Sequence, residues 1–282
     1  MLTAGSVRTR SVEREQTASR PRLSLSGLVV LPAVVFVLFV AVPLGALVLR
    51  AAQSGQLLES LAQPAIHDAL RLSLITSLLT AAIVVLLGTP LAYLLARRQF
   101  PGKALIDTLV DLPMVLPPVV AGVALLMAFG RRGVFGPALE GAGLDVAFTA
   151  KAVVAAQVFV SSPFYVRAAR VGFQAVDETL EQAAAIDGAS PWRSFLHITL
   201  PLSLPALLSG IVLCWARALS EFGATMMFAG NLRGTTQTMS LAIMTAMESN
   251  LYTALAMSVV LLAVACATLL AFRALTRQGL RL

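Results

Sequence analysis

Charged residues are scarce in this chain: Asp, Glu, Lys and Arg together make up 12% of its 282 residues. A soluble domain carries roughly a quarter of such residues. Hydrophobic residues reach 58%, which is more than the core of a water-soluble protein of this length can bury. The composition therefore excludes an ordinary soluble domain and predicts a protein that crosses a membrane several times.

Cysteines are few and a nucleotide-binding motif is missing. Cys214 and Cys266 each lie inside an apolar stretch, so we expect neither a disulfide nor a metal site. The sequence has no Gly-x4-Gly-Lys-Ser/Thr phosphate loop, because Gly102-Lys103-Ala104 lacks both the upstream glycine and the hydroxyl. We therefore expect no enzyme activity, no catalytic residue and no cofactor bound by this chain.

The net charge of +7 has a membrane explanation. Basic residues flank the apolar runs instead of gathering on one face, so they predict contact with membrane lipid and not with nucleic acid. They cluster in the N-terminal tail, after the second and fourth runs, and at the C-terminal end. The positive-inside rule then predicts that both termini are cytoplasmic.

Charge-poor runs of about 20 residues predict six membrane-spanning helices and an all-α polytopic fold. The uncharged run Leu23–Leu49 is longer than the roughly 7–15 residues of a signal-peptide core, so we expect it to be retained. We predict an Arg-rich cytoplasmic tail over 1–26, a first helix over 27–49, a core over 69–273 and a cytoplasmic end over 274–282. The predicted core helices lie near 70–96, 109–130, 152–173, 200–228 and 251–273.

A polar insert over residues 177–199 interrupts the apolar runs. Asp177 is placed to cap a short helix, and Gly188 is the residue type that ends helices in the left-handed conformation. Ser190 followed by Pro191 predicts the start of a second short helix. Pro201 and Pro205 then mark the expected entry into the fifth span.

The insert has features of a docking element. Ala183 and Ala184 leave its first helix thin, and Trp192 and Phe195 offer aromatic anchors. An amphipathic surface helix packed on its own bundle is the alternative, and chemistry alone leaves the two open.

Several polar residues fall within the predicted spans. Arg217 and Glu221 lie one helical turn apart and can pair; they either satisfy each other or form part of a transport pathway. Gly223, Thr225, Ser161 and Ser162 are further pathway candidates. Asp107 and Asp111 are also one turn apart, and we expect basic partners among Arg97, Arg98 and Lys103. The nearby prolines 113, 117 and 118 predict a kinked, discontinuous helix.

Two motifs resemble a known family. Residues 181–188, Glu-Gln-Ala-Ala-Ala-Ile-Asp-Gly, are followed after nine residues by Ile198-Thr-Leu-Pro201, a pattern similar to the cytoplasmic coupling loop of ABC importer permeases. Gln182 stands where that family usually has Glu. The stretch Arg217-Ala-Leu-Ser-Glu221-Phe-Gly-Ala-Thr225 resembles molybdate permeases of the type I ABC importers. Sulfate and thiosulfate permeases are close relatives and remain an alternative.

The resemblance implies a permease subunit of an ATP-driven oxyanion importer in the bacterial cytoplasmic membrane. It implies alternating access in a homodimer, two cytoplasmic ABC ATPase subunits that carry ATP and Mg, and an extracytoplasmic molybdate-binding protein. The implied ATPase-coupling residues are Glu181, Gln182, Ala183, Ala184, Asp187, Gly188, Ser190, Pro191 and Trp192. A membrane channel or scaffold that is not coupled to ATP is an alternative from a different class.

Overall fold

The computed structural model describes residues 27–279, so the predicted tail over 1–26 lies outside the described residues. The chain divides into two compact units, one ending at Ala46 and one beginning at Leu47. Helix α1 begins in the first unit, and every later helix belongs to the second. Within the described range the regular elements are all helical, which confirms the predicted all-α class.

Thirteen helices and one π-helical turn follow one another along the described chain. They are α1 (Gly27–Gln53), α2 (Leu57–Leu61), α3 (Pro64–Arg97), α4 (Lys103–Val115), α5 (Pro118–Phe129), α6 (Gly136–Gly141), α7 (Ala150–Gln174), α8 (Glu178–Ile186), α9 (Pro191–Ser194), the π turn (Phe195–Thr199), α10 (Leu200–Leu219), α11 (Gly223–Phe228), α12 (Met239–Ser249) and α13 (Leu251–Gly279).

Within residues 27–279, five stretches are long and apolar enough to cross a membrane. They are Val29–Gln53, Pro64–Arg97, Ala150–Gln174, Pro191–Leu219 and Leu251–Ala271. A sixth span is present only if α4 and α5 are counted together, and these two helices are bent by 119° at their junction. The prediction of six spans therefore depends on how that broken pair is counted.

The predicted helix over 109–130 is wrong as a single span. Leu116 and Pro117 both adopt extended backbone, with ψ of 135° and 134°. Pro118 disfavours the helical conformation of the residue before it, and Pro117 does the same to Leu116. Neither proline has an N–H to donate to the helix ladder. The prolines thus divide the segment into two separate helices, α4 and α5, and not into one kinked helix.

The predicted fifth span over 200–228 is also wrong at both ends. The helical stretch starts earlier, at Pro191, and runs through the π turn into α10 without a new entry at Pro201 or Pro205. Pro201 lacks an N–H for the preceding turn, and Leu200 N–H bonds to Phe195 O in the wider π pattern. The span then ends at Leu219, and α11 is a separate helix.

Other boundaries differ less. Helix α3 begins at Pro64 instead of residue 70, and α13 continues to Gly279, into the region predicted as the C-terminal end over 274–282. The helices α1 and α7 extend a few residues past the predicted 27–49 and 152–173. Helix α12 was not predicted at all.

Helix α7 lies at the centre of the second unit, between α3 and α10. Tyr165 and Phe173 on α7 are buried in a cluster with Ala92 of α3 and Cys214 of α10. Small residues bring the backbones together: a Cβ on Gly172 would lie 2.6 Å from Ala206 Cβ. Membrane helices commonly pack through such small residues, because tight contact replaces the missing hydrophobic drive.

Helix α3 is long enough to reach from one end of this unit to the other. Its 34 residues correspond to about 50 Å at 1.5 Å per residue, which exceeds the roughly 30 Å hydrocarbon core of a bilayer. Pro64 and Arg97 therefore lie on opposite sides of a membrane. The 177–199 insert contacts the Arg97 end.

Candidate functional site

The first half of the insert is a capped helix. Asp177 adopts extended backbone, and its side chain accepts a hydrogen bond from Thr179 N at 2.9 Å. This bond favours the ionised carboxylate and holds the pKa of Asp177 below its usual value. The predicted cap is thus confirmed, and it fixes where α8 leaves the membrane helix before it.

Gly188 ends α8 in the left-handed conformation, with φ of 83°. Ala189 N–H donates to Ala184 O at 2.9 Å, and Gly188 N–H donates to Ala185 O at 3.1 Å. These two bonds form a Schellman motif, in which glycine is strongly favoured. The predicted end of the helix at this glycine is confirmed.

The second helix starts at the predicted residues. Ser190 Oγ accepts a bond from Arg193 N at 3.4 Å, and Pro191 occupies the first helical position. The insert is therefore a helix, a left-handed turn and a second helix that continues into α10.

Ion pairs attach the base of the insert to α3. Arg97 Nη2 lies 2.9 Å from Glu181 Oε1 and donates to Val176 O at 3.1 Å, while Arg97 Nη1 lies 3.3 Å from Glu178. The Arg97 side chain is 7% exposed and that of Glu181 23% exposed. Thr199 Oγ1 also donates to Glu181 Oε1. Glu181 thereby links α8 to both α3 and the start of α10.

Aromatic packing supports the same base. Tyr93 of α3 makes edge-on contacts with Phe173 of α7 at 5.5 Å and with Phe195 at 5.1 Å between ring centroids. Trp192 stacks on Phe195 at 5.7 Å. Phe195, predicted as an anchor for a partner, instead packs into this chain's own bundle.

The tip of the insert is exposed. Ile186 is 86% and Trp192 67% exposed, and Leu180 is exposed as well. Most of the predicted coupling residues share this surface: Gln182, Ala183, Asp187, Gly188, Ser190 and Pro191 are exposed, Ala184 is half-buried, and Glu181 is at the base. Large apolar side chains exposed together beside polar residues are typical of a protein-binding surface.

The second predicted site, Arg217 with Glu221, lies where α10 ends. Arg217 Nη2 is 2.7 Å from Glu221 Oε2, and Glu221 is 1% exposed. No N–H of Arg217 points at Oε2, so this oxygen is paired with the arginine by charge alone and accepts no hydrogen bond. The other oxygen, Oε1, accepts Ala224 N at 2.9 Å. The carboxylate thus starts α11 and neutralises Arg217.

The remaining pathway candidates are mostly in helix contacts. Ser161 is fully buried; its hydroxyl donates to Gln157 O at 2.6 Å and accepts from Cys214 Sγ at 3.4 Å. Thr225 is also buried, and a Cβ on Gly223 would lie 2.7 Å from Pro118 Cβ. Ser162 is half-buried in the wall of an apolar cleft of about 780 Å³. Their role in a pathway stays a prediction.

The expected partners of Asp107 and Asp111 are wrong. Arg170 Nη1 lies 2.6 Å from Asp107 Oδ1, and Arg167 makes two hydrogen bonds of 2.6 Å to Asp111. These pairs join α4 to α7. Arg97 is committed to the insert, and Lys103 Nζ donates to Arg98 O. The sequence shows the charges but not which helices face each other.

Reasoning from the sequence also missed Arg97, Thr199 and Tyr93 as parts of the insert's base. Arg97 and Glu181 are 84 residues apart, and no local pattern connects them. Within the described residues, no group of His, Cys, Asp and Glu side chains could hold a metal ion.

Comparisons with known proteins match this architecture. Residues 88–282 match the family described as "Binding-protein-dependent transport system inner membrane component". The chain belongs to this family. It is accordingly a multi-pass inner-membrane permease subunit and not an enzyme.

Two relatives align with this permease subunit over most of their own length. The molybdate/tungstate transport system permease protein of Thermococcus kodakarensis is 43% identical over 68% of this chain and 72% of its own length. The molybdenum transport system permease protein of Mycobacterium bovis is 40% identical over 92% of this chain and 98% of its own length.

A solved structure shares the fold of the permease. A bacterial ABC transporter involved in alginate import has a chain that aligns with a TM-score of 0.70 and 18% identity, over 89% of this chain and 94% of that one. At this identity the match concerns the fold alone.

Proposed function

We propose that this chain is the permease subunit of an ATP-driven molybdate importer, and that two copies form the passage at a two-fold interface. Two cytoplasmic ABC ATPase subunits carry the ATP and Mg, and an extracytoplasmic binding protein delivers the oxyanion. The sequence relatives, several of them named for molybdate or molybdenum transport, support this substrate.

The 177–199 insert is the observation that carries the proposal. Its exposed tip offers Ile186 and Trp192 to another protein, while its base is tied to the membrane helices. A surface element that only packed on its own bundle would bury these apolar side chains. On this proposal the insert faces the cytoplasm, and so do both termini.

The attachments at the base explain how motion passes into the membrane. Arg97 connects the insert to α3, Thr199 connects it to α10, and Phe195 packs against Phe173 of α7. These three helices form one buried cluster. A displacement of the insert therefore moves α3, α7 and α10 together and not one by one.

Transport follows from this connection. ATP binding draws the two ATPase subunits together, and they push the two inserts, so that the passage opens to the outer side. The binding protein releases the oxyanion, and ATP hydrolysis restores the inward-facing state. This chain supplies the passage and the inserts that move it, and the partner ATPase hydrolyses the ATP.

Gly188→Val tests the coupling. A β-branched residue at φ of 83° costs about 1–2 kcal/mol in the left-handed conformation, although no atom lies within 4 Å of the added Cβ. The turn is therefore the only feature disturbed. We expect molybdate uptake in proteoliposomes to fall roughly tenfold, while ATP hydrolysis loses its stimulation by the loaded binding protein.

Gly188→Asn is the matched control, because asparagine tolerates the left-handed conformation. It should keep most of the uptake. Wild-type uptake and stimulation in Gly188→Val would contradict the proposed role of the insert. Competition of uptake by sulfate but not by tungstate would replace molybdate with sulfate as the substrate.

A further inference from the structure

A polar pocket of about 200 Å³ lies at the end of the second unit that is opposite the insert. It is formed by the residues before α3, the loop between α11 and α12, α12 itself and the start of α13. Its polar lining residues are Gln63, Arg233, Gln237, Thr245, Ser249, Asn250 and Thr253. No residue of this pocket belongs to the insert or to the Arg217–Glu221 pair.

The floor of the pocket is a fixed hydrogen-bond chain. Gln237, which is 6% exposed, donates through Nε2 to Asn231 Oδ1 at 2.9 Å. Asn231 Nδ2 donates to Thr245 Oγ1 at 2.9 Å, and Thr245 donates to Leu241 O at 3.1 Å. This chain determines which way each amide points. The part of the pocket wall that Gln237 and Thr245 form is therefore set by the fold.

The loop that carries Arg233 is ordered in the same way. Leu232 O accepts the N–H groups of Thr235, Thr236 and Gln237 at 2.9–3.1 Å, and Leu232 N donates to Thr236 Oγ1 at 3.0 Å. These bonds close a compact turn around the arginine. The backbone that carries the exposed side chain of Arg233 is thereby held at the edge of the pocket.

The pocket offers hydrogen-bond donors and a positive charge. Asn250 Oδ1 accepts Tyr252 N at 3.0 Å and Thr253 N at 3.2 Å, so its NH₂ group is left for another partner. Arg233 makes no ion pair among the described residues. No carboxylate lines the pocket, and Glu248 on α12 lies outside the lining.

We propose that this pocket binds the tetrahedral oxyanion on the outer face of the permease, as a first stop after the binding protein releases it. The inference rests on the proposed function, because it takes the oxyanion and the outer face from it. A guanidinium fork fits tetrahedral oxyanions in a bidentate way. The NH₂ group of Asn250 supplies a neutral donor beside it. A single cation holds a dianion weakly, as a transfer step requires.

Equilibrium dialysis of radiolabelled molybdate against the purified permease–ATPase complex, without binding protein and at low salt, tests the site. We expect saturable binding, weakened about tenfold in Arg233→Gln, because one charge-assisted contact is lost. The affinity of Arg233→Lys should lie between those of the wild type and Arg233→Gln, since lysine keeps the charge but not the planar, two-pronged guanidinium. Arg132→Gln is the matched control: Arg132 is exposed and lies outside the pocket.

Each outcome separates this site from the proposed function. The basal ATP hydrolysis of every variant serves as the check that the complex is intact. Absence of saturable binding in the wild-type complex, or equal binding in Arg233→Gln and wild type, overturns the site even if the complex still imports molybdate. Arg233-dependent binding of sulfate by a complex that imports no molybdate keeps the site and overturns the proposed substrate.

Discussion

Two Arg–Glu pairs in this molecule have the same chemistry, but one joins distant parts of the sequence and the other joins near neighbours. Arg97 and Glu181 are 84 residues apart and join two helices, whereas Arg217 and Glu221 are four residues apart at the end of α10. In the first pair the arginine is the more buried partner, at 7% against 23% exposed; in the second it is the glutamate, at 1% against 26%. The Arg97–Glu181 pair holds α8 against α3. In the Arg217–Glu221 pair, the glutamate accepts a hydrogen bond from the first turn of α11.

This difference in sequence separation indicates which pair can pass a movement of the insert to the membrane helices. Glu181 is also bonded to Thr199, so removing it takes away one contact of α8 with α3 and one with the start of α10. Glu221 bonds only to its own neighbourhood, where it caps α11 at Ala224. Loss of the local pair should therefore lower stability, and loss of the long-range pair should lower coupling.

Glu221→Ala is expected to have the largest effect on stability. Removing one member of a buried ion pair leaves an uncompensated charge, and Ala224 N–H loses its acceptor as well. We expect a loss of about 3 kcal/mol, measured by thermal unfolding of the detergent-solubilised chain. Glu221→Gln keeps an acceptor for Ala224 and should lose roughly half as much. A wild-type unfolding temperature in Glu221→Ala would show that the pair does not stabilise the break after α10.

Glu181→Ala is expected to have a smaller effect on stability, about 1–2 kcal/mol, because its side chain is partly exposed. Its effect on coupling should be larger: ATP hydrolysis should continue while uptake falls. Glu178→Ala is the matched control, since Glu178 pairs with the same arginine but is 65% exposed, and such pairs contribute less than about 1 kcal/mol. If the two variants transported equally well, the comparison between the pairs would fail.

Local chemistry in the sequence predicted the insert well. Asp177, Gly188 and Ser190 each determine their own surroundings through a side-chain cap or a left-handed turn, and all three lie where the sequence placed them. Apolar run length likewise located the long helices, because the bilayer sets a minimum span.

Long-range contacts could not be predicted in the same way. The 119° bend between α4 and α5 depends on what each half packs against, as well as on the prolines between them. The partners of Asp107 and Asp111 depend on α4 facing α7, which no periodicity encodes. Helix α12 is short and follows a loop, so run length gave no signal for it.

Site-directed cross-linking tests the central claim, that the tip of the insert contacts the ATPase. Ile186→Cys, in a chain where Cys214 and Cys266 are replaced by alanine, places a thiol at a position 86% exposed. Leu58→Cys is the control, 82% exposed but before the opposite end of α3. A short bifunctional reagent should join the ATPase to Ile186→Cys and not to Leu58→Cys. Cross-linking at Leu58→Cys alone, or at neither position in an ATPase-bound complex, would contradict the account.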